Sequence, residues 1–277
     1  MQLNHRTSKL RLAGARFFLA FTLFSALTTL SRADAPSGEF SIDFDASSTP
    51  LIDLSGSFET SQSIIGAGGT TTPLVFSLNL TNDPSGRIRG TGAAIVQIGD
   101  AFVVGNYVAN GNVSGGGVHD TRVSLVVRIT GEDVIAGQET TFSISIRYNL
   151  TLSVDDGELQ GTARGSAHFS KLGNGKIRED FATVPLPGGQ DGSWSVTLNV
   201  VPLLKLGGTG TISLPNGRNL QGTISGSYSS GSGIAHIKLT GVGSDKGFSV
   251  TFTTSDSDEG PQLETVRGRV LGQTLLE

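Results

Sequence analysis

The stretch Phe142-Ser-Ile-Ser-Ile-Arg-Tyr-Asn-Leu-Thr-Leu-Ser-Val154 alternates apolar and polar residues without a break. Successive side chains of a β-strand point to opposite faces of a sheet, so this pattern predicts a strand with one buried and one solvated face. Such strands are typical of antiparallel sheets. The same alternation recurs in shorter runs, at Phe40/Ile42/Phe44, Phe76/Leu78/Leu80, Val123/Leu125/Val127/Ile129, Trp194/Val196/Leu198/Val200 and Phe248/Val250/Phe252. Beyond residue 35 no window has the apolar period of a helix, and the sequence therefore predicts an all-β fold.

Residues that favour turns separate these runs. They are Asn82-Asp-Pro-Ser-Gly86, Asp155-Asp-Gly157, Pro215-Asn-Gly-Arg218, Gly231-Ser-Gly233 and Ser244-Asp-Lys-Gly247. Glycine, asparagine and aspartate tolerate positive φ, and proline presets the first turn position. The spacing fits successive hairpins and leaves too little chain for the crossovers of a parallel sheet. The predicted topology is an antiparallel meander.

Glycine and alanine occupy one face of several predicted strands. These small-faced strands carry Gly161/Ala163/Gly165/Ala167, Gly208/Gly210 and Gly222/Gly226. Glycine inside a strand weakens a sheet unless curvature brings bulky neighbours onto it. We therefore expect the sheet to curl into a barrel or into barrel-like or sandwich sheets. If the interior binds a ligand, the small-faced strands are where we expect room for it.

Five short matches recur in the same order later in the chain, at offsets that fall from 120 to 103 residues. They join Phe76–Leu80 to Val196–Val200, Gly90–Gly92 to Gly208–Gly210, Gly111–Gly115 to Gly222–Gly226, Phe142–Ile144 to Phe248–Val250, and Arg164-Gly165 to Arg267-Gly268. The conserved order and the small drift predict an internal duplication. The fold is then built from two related β halves.

Residues 1–35 have the features of an export signal. A basic leader is formed by Arg6, Lys9, Arg11 and Arg16. An uncharged, mostly apolar run over 17–30 follows, which is too short for an ordinary membrane-spanning helix. Small residues then allow cleavage after Ala33 or Ala35.

The mature chain is expected to divide into a first half at 36–169, a linker or long loop at 170–191 and a second half at 192–277. Within 170–191 the alternation stops, and charged residues, prolines and Gly188-Gly-Gln190 appear. The alternative is a long surface loop within one continuous barrel.

Net charge and cysteine content limit the classes of partner and compartment that we expect. The predicted leader takes five basic residues and one acidic residue from the chain's 20 Lys+Arg and 24 Asp+Glu, which leaves a net charge near −8. The sequence shows no cluster of Lys and Arg, so nucleic acid is not an expected partner. An exported protein without cysteine fits a bacterial envelope better than a compartment rich in disulfides.

Three histidines remain after the leader, at His119, His168 and His236, and none has the spacing of a metal site. His119-Asp120 is interpreted as a turn, whereas His168 and His236 lie in predicted strands and would meet only if the halves packed face to face. Acidic groups occur at Asp43/Asp45, at Asp155-Asp156 with Glu158, and at Asp256-Ser-Asp-Glu-Gly260. The last group lacks the third Asp and the distal Glu of a calcium loop, and we interpret both acidic turns as solvated. The sequence assigns no catalytic, cofactor-binding or metal-ligating residue and predicts no cofactor.

We therefore expect an exported, non-enzymatic β protein of the bacterial cell envelope, periplasmic or on the cell surface. It would be a binding or structural module for a small-molecule or cell-envelope ligand. Two alternatives stay open. An outer-membrane β-barrel would turn the apolar face of 142–154 toward lipid, although the chain has few Tyr and Trp for interfacial girdles. A secreted hydrolase acting on polysaccharide would need two carboxyl groups across a cleft.

Overall fold

The structure is a computed structural model that describes residues 38–44, 51–116, 119–152, 159–181, 194–201, 205–214, 216–229, 231–257 and 260–276. These residues form sixteen strands and two 3-10 helices, at Ala67–Gly69 and Gly243–Asp245. The strands are β1 (Gly38–Phe44), β2 (Gly56–Ile65), β3 (Thr71–Asn82), β4 (Arg87–Ile98), β5 (Ala101–Gly116), β6 (His119–Ile135), β7 (Gln138–Leu152), β8 (Leu159–Phe169), β9 (Gly173–Phe181), β10 (Trp194–Val201), β11 (Leu206–Ser213), β12 (Asn219–Ser229), β13 (Ile234–Gly241), β14 (Ser249–Ser257), β15 (Gly260–Val270) and β16 (Gln273–Leu276). The all-β prediction is confirmed. In the described part of the chain, no helix is long and apolar enough to span a bilayer.

Strands β2 to β9 close into a ring of eight. Each strand pairs antiparallel with the next along the chain, and β9 returns to β2. The closing contact between β2 and β9, which we call the seam, consists of the pairs Ile64↔Ile177 and Ile65↔Lys176. The predicted meander and its curling into a barrel-like sheet are confirmed, although the ring is uneven because the seam is short.

A tyrosine hydroxyl fills a second irregularity of the ring. The pairing of β3 with β4 shifts between Phe76 and Thr81. There the Asn79 N–H donates to the Tyr107 hydroxyl, which in turn donates to the Asn79 carbonyl, both at 3.0 Å. Gly90 leaves space for the tyrosine ring, since a Cβ there would lie 3.2 Å from it. The side chain therefore takes the place of a ladder hydrogen bond.

The remaining strands form a second sheet in the order β1, β10, β11 and onward to β16. It is antiparallel throughout, and β1 pairs with β10 from Gly38↔Val200 to Phe44↔Trp194. Its last strand, β16, runs parallel to β5 of the ring through Gln273↔Gly115 and Thr274↔Gly116. The two sheets are thereby joined into one.

Each half is an eight-stranded meander, because β1 and β10–β16 repeat the order of β2 and β3–β9. Glycines inside the strands show which residues of the two halves correspond. A Cβ at Gly165 would lie 2.1 Å from the Ser145 carbonyl oxygen, and a Cβ at Gly268 would lie 2.3 Å from that of Ser249. The prediction of two related halves is confirmed strand by strand.

Two of the five sequence matches are displaced in register. Gly90 pairs with Ala109 whereas Gly208 pairs with Ile224, so Gly111 corresponds to Gly226 and not to Gly222. Gly165 pairs with Ile146 and Gly268 with Val250, so Phe248 corresponds to Ile144 and not to Phe142. Both displacements are even numbers of residues, and the side chains therefore stay on the same face.

Two strands do not lie where the predicted boundaries of the halves would place them. Residues 173–181 of the expected linker form β9, which closes the ring, while 182–193 lie outside the described residues. β1, expected in the first half, pairs with β10 in the second sheet. Both differences arise from long-range strand pairing, which local composition does not encode.

The apolar faces point inward and form two cores, one in the ring and one against the second sheet. The expectation of ligand room at the small-faced strands fails at the glycines whose neighbours fill that room. At Gly161 and Gly165 the backbone of β7 occupies the place of a Cβ, and at Gly222 a Leu239 methyl lies 2.8 Å from it. These glycines allow neighbouring strands to approach closely, so they produce curvature and leave no space for a ligand at their own positions.

A partly buried ion pair joins the halves. Arg218, which precedes β12, donates from Nη1 to Asp53 Oδ2 at 3.1 Å, to Ser55 Oγ at 3.0 Å and to the Asn82 carbonyl at 2.6 Å. The Asp53 side chain is 3% exposed and also accepts a hydrogen bond from Asn216 at 3.0 Å. The multiple donors compensate the carboxylate for its lost hydration.

The segment that carries Asp53 is anchored on both halves. Leu51 belongs to the core of the second sheet, whereas Ile52 belongs to that of the ring. The Gln273 side chain binds both the N–H and the carbonyl of Ile52, at 2.9 and 2.8 Å. Residues 51–53, which precede β2, are thus fixed where the sheets meet.

Candidate anion-binding face

Three arginines face each other across neighbouring strands on the outside of the ring. Arg147 of β7 is the register partner of Arg164 on β8, and Arg164 is the partner of Arg178 on β9. All three are exposed because they occupy the solvated positions of strands whose alternate residues are buried. We call this set the arginine row. Adjacent strands lie about 4.8 Å apart, so three cations are stacked over roughly 10 Å.

Two further cations lie on the next line of residues. Arg128 pairs with Ser145, Ser145 with Ser166, and Ser166 with Lys176. This line lies two residues along each strand, about 7 Å from the arginine row. The resulting basic face holds Arg128, Lys176 and the three arginines of the row.

Within the described ranges, no carboxylate forms an ion pair with an arginine of the row. The ion pair found there is the one between Arg218 and Asp53, at 3.1 Å. Asp180 shares the outward face of β9 with Arg178, two residues away, and its register partner is Thr162. Like charges directly opposite each other destabilise a sheet. The row therefore costs stability in the unliganded protein.

The second half shows that the fold does not require this row. By register, Arg147, Arg164 and Arg178 correspond to Thr251, Arg267 and Leu276, which also face one another across β14, β15 and β16. Only the central arginine is shared by the described strands of the two halves. A sheet of the same topology thus forms without the charge stack.

Two grooves flank the row. One of about 520 Å³ lies over β5 to β7 and includes Arg128 and Arg147 in its lining. The other, of about 690 Å³, lies along the seam and includes Lys176 and Arg178. Both volumes fall in the range of small-ligand sites, and each groove contains one end of the row.

A histidine and an asparagine pair at the rim of the seam groove. His168 of β8 and Asn174 of β9 are register partners, and His168 Nδ1 is hydrogen-bonded to the Asn174 side-chain oxygen. Both side chains are exposed. They add hydrogen-bonding groups beside the cations of the basic face.

The other histidines do not join this face. His236, on β13 of the second sheet, is exposed and lies 3.3 Å from Thr253 Oγ1. The structure does not pair the strands of His168 and His236, because β8 and β13 are not neighbours in the sheet. His119 begins β6, and its side chain is outside the described part.

The acidic candidates fall largely outside the described residues. These are Asp45, the turn from Asp155 to Glu158, and Asp258-Glu259, while the side chains of Asp43 and Asp256 are not described. Among the residues that are described, no three His, Cys, Asp or Glu side chains cluster as metal ligands.

The ring interior contains a separate polar cluster. Gln62 Nε2 donates to Thr60 Oγ1 at 2.9 Å and to the Tyr148 hydroxyl. Burial raises the pKa of Tyr148 to about 12; the hydrogen bonds from Thr60 and Gln62 lower it, and the nearby Glu179 raises it further. Tyr148 is therefore neutral at physiological pH and acts as a hydrogen-bonding residue of the core.

Comparisons with protein-family models, with curated proteins and with solved structures find no match to this chain. The basic face was not predicted from the sequence, and only the structure shows it. Its arginines are 17 and 14 residues apart, so no local cluster of charge marks them. The one available signal was their position on the polar face of alternating strands.

Proposed function

We propose that this protein is an exported, non-enzymatic binding module of the bacterial cell envelope, and that the arginine row binds carboxylate or phosphate groups of an envelope ligand. The observation that carries the proposal is the row itself. Three arginines stand opposite one another in an otherwise acidic protein, whereas the related half has an arginine only at the central one of these positions. The predicted leader at 1–35 supports export.

Arginine suits such a ligand because its planar guanidinium forms two parallel hydrogen bonds with a carboxylate or a phosphate. A row of three favours a ligand with several anionic groups, since each group neutralises one arginine and relieves its repulsion with the next. Binding of this kind weakens as salt screens the charges.

On β7 the orientation of the side chains supports a water-facing outer surface. Phe142, Ile144 and Leu150 are buried at 3% exposure or less, whereas Arg147 between them is exposed. An outer-membrane barrel would require the reverse arrangement on these strands.

Binding to two defined polyanions tests the proposal. Sodium polygalacturonate supplies carboxylates, linear polyphosphate supplies phosphates, and dextran is the uncharged control. Titration calorimetry on the mature chain should show binding to at least one polyanion and none to dextran. Arg164→Gln should weaken that binding about tenfold or more, because a charge-assisted hydrogen bond is lost.

Arg267→Gln is the matched control, since Arg267 holds the same place in the second half but faces Thr251 and Leu276. It should leave binding unchanged. Arg164→Gln should also raise the free energy of unfolding at low salt by roughly 0.2–1 kcal/mol, as a like-charge contact is removed. If neither polyanion binds, or if both substitutions weaken binding equally, the proposal is wrong.

A further inference from the structure

The seam groove combines cations with neutral hydrogen-bonding groups. Besides Lys176 and Arg178 it contains Ser166, His168 and Asn174. These groups supply donors and acceptors of the kind that bind hydroxyl groups. Arg178 is the one residue of the arginine row in the lining of this groove.

The shortness of the seam explains why a groove exists there. β2 pairs with β9 at Ile64 and Ile65 and then leaves the sheet through Gly66 into the 3-10 helix at Ala67–Gly69. β9 continues past this point to Gly173 and pairs with β8 on its other side. The two strands therefore diverge, and the space between them opens to solvent.

One wall of the groove is apolar. Ile65 is 38% exposed, and Ala67 is exposed beside it. The polar groups of β8 and β9 belong to the same lining, and Lys176 is the register partner of Ile65. A ligand that fits both walls has one apolar side and one side with hydroxyl and anionic groups.

The second half again lacks these groups. By register, His168, Asn174 and Lys176 correspond to Leu271, Gly272 and Thr274 around the turn between β15 and β16. The hydrogen-bonding set is thus particular to the ring and is not needed to form the turn.

The geometry points to the seam groove as a subsite for one residue of an acidic polysaccharide, a hexuronate. Its carboxylate would lie against Lys176 and Arg178, its hydroxyls would bind Ser166, His168 and Asn174, and its C–H face would pack on Ile65. This inference rests on the proposed function and specifies its ligand as an acidic glycan, in preference to a polyphosphate.

A short ligand separates the groove from the row. Trigalacturonate and polyphosphate are titrated separately into the mature protein. Asn174→Ala and His168→Ala should each weaken trigalacturonate binding about three- to tenfold, the effect of one lost neutral hydrogen bond. Neither should change polyphosphate binding, whereas Arg164→Gln should weaken it.

His236→Ala is the control for loss of an exposed strand histidine, and it should leave both titrations unchanged. Lys176→Gln gives a second variant and should weaken trigalacturonate binding without altering the urea midpoint. If Arg164→Gln lowers polyanion binding while the Asn174 and His168 variants bind trigalacturonate normally, the subsite is disproved and the proposed function stands. If wild-type protein binds polyphosphate but not trigalacturonate, the glycan assignment alone is disproved.

Discussion

At the scale of single residues, the ring interior is organised by a few polar side chains placed among apolar ones. Tyr148 is 1% exposed and packs edge-on against Phe58, with ring centroids 5.7 Å apart. Its hydroxyl bonds to Gln62, whose Oε1 has no hydrogen-bond partner in the described part of the protein. A buried polar group keeps a net stabilising role only while it is paired.

Tyr148 should make the protein sensitive to alkali. Its pKa is raised from 10.0 to about 12 on folding, chiefly by burial. The folded state therefore holds this proton more tightly, and the stability that it contributes is fully present below pH 10 and is lost as pH rises toward 12. Urea unfolding at pH 8, 10 and 11 should show this fall in the wild type.

Tyr148→Phe removes the ionisable group and should flatten this part of the pH profile. It should also cost about 1–2 kcal/mol of stability at pH 8, because one N–H of the Gln62 amide loses its acceptor. The two proteins differ only at residue 148, so the difference between the two curves is the readout. Parallel curves from pH 8 to 11 would contradict the assignment.

At the scale of elements, glycine sets how closely strands approach. β8 has Gly161 and Gly165 on its inward face, and at each a Cβ would lie 2.1 Å from a carbonyl oxygen of β7. No side chain fits at that distance. The strand can therefore coil tightly around the ring, while the bulky residues of β7 supply the core between the glycines.

Gly165→Ala should destabilise the protein by about 2 kcal/mol or more, because the ladder between β7 and β8 must shift to admit the methyl group. Gly207→Ala is the matched control within strand β11, where the nearest atom to a Cβ, the Ile224 carbonyl oxygen, lies 4.0 Å away. It should be close to neutral. Equal urea midpoints for the two variants would refute this account of curvature.

At the scale of the whole molecule, the ring is inserted between the first and second strands of the other half. β1 supplies the edge of the second sheet, and the chain returns to that sheet at β10 only after completing the ring. The Arg218–Asp53 pair and the Gln273–Ile52 hydrogen bonds hold the crossing point. The N-terminal strand thus stabilises the C-terminal half.

Deletion of residues 36–44 should therefore weaken the second sheet and spare the ring. By amide hydrogen exchange, protection in β10 and β11 should fall about tenfold or more, as an edge strand is left unpaired. Protection in β6 and β7 should be unchanged, and the mature chain from residue 36 is the control. A loss of protection confined to the ring would contradict the pairing of β1 with β10.

The sequence predicts the strands and their buried faces, but it does not predict which residues pair across neighbouring strands. The faces of Phe142 to Leu152 follow directly from alternation, and the structure has them inward as expected. The match of Arg164-Gly165 with Arg267-Gly268 also holds in register. The match of Phe142 with Phe248 does not, because two apolar residues spaced by two positions look alike in sequence and only the pairing partner distinguishes them.

The amino-acid sequence by itself determines that the chain is all-β, antiparallel and built twice, since side-chain alternation, turn residues and repeated glycines are all local signals. Only the tertiary structure decides that one half closes on itself, that β1 belongs to the other, and that three separated arginines form a row. These depend on register and on which sheet edge is free. Both are set by contacts between residues far apart in the chain, whose energies no short window contains.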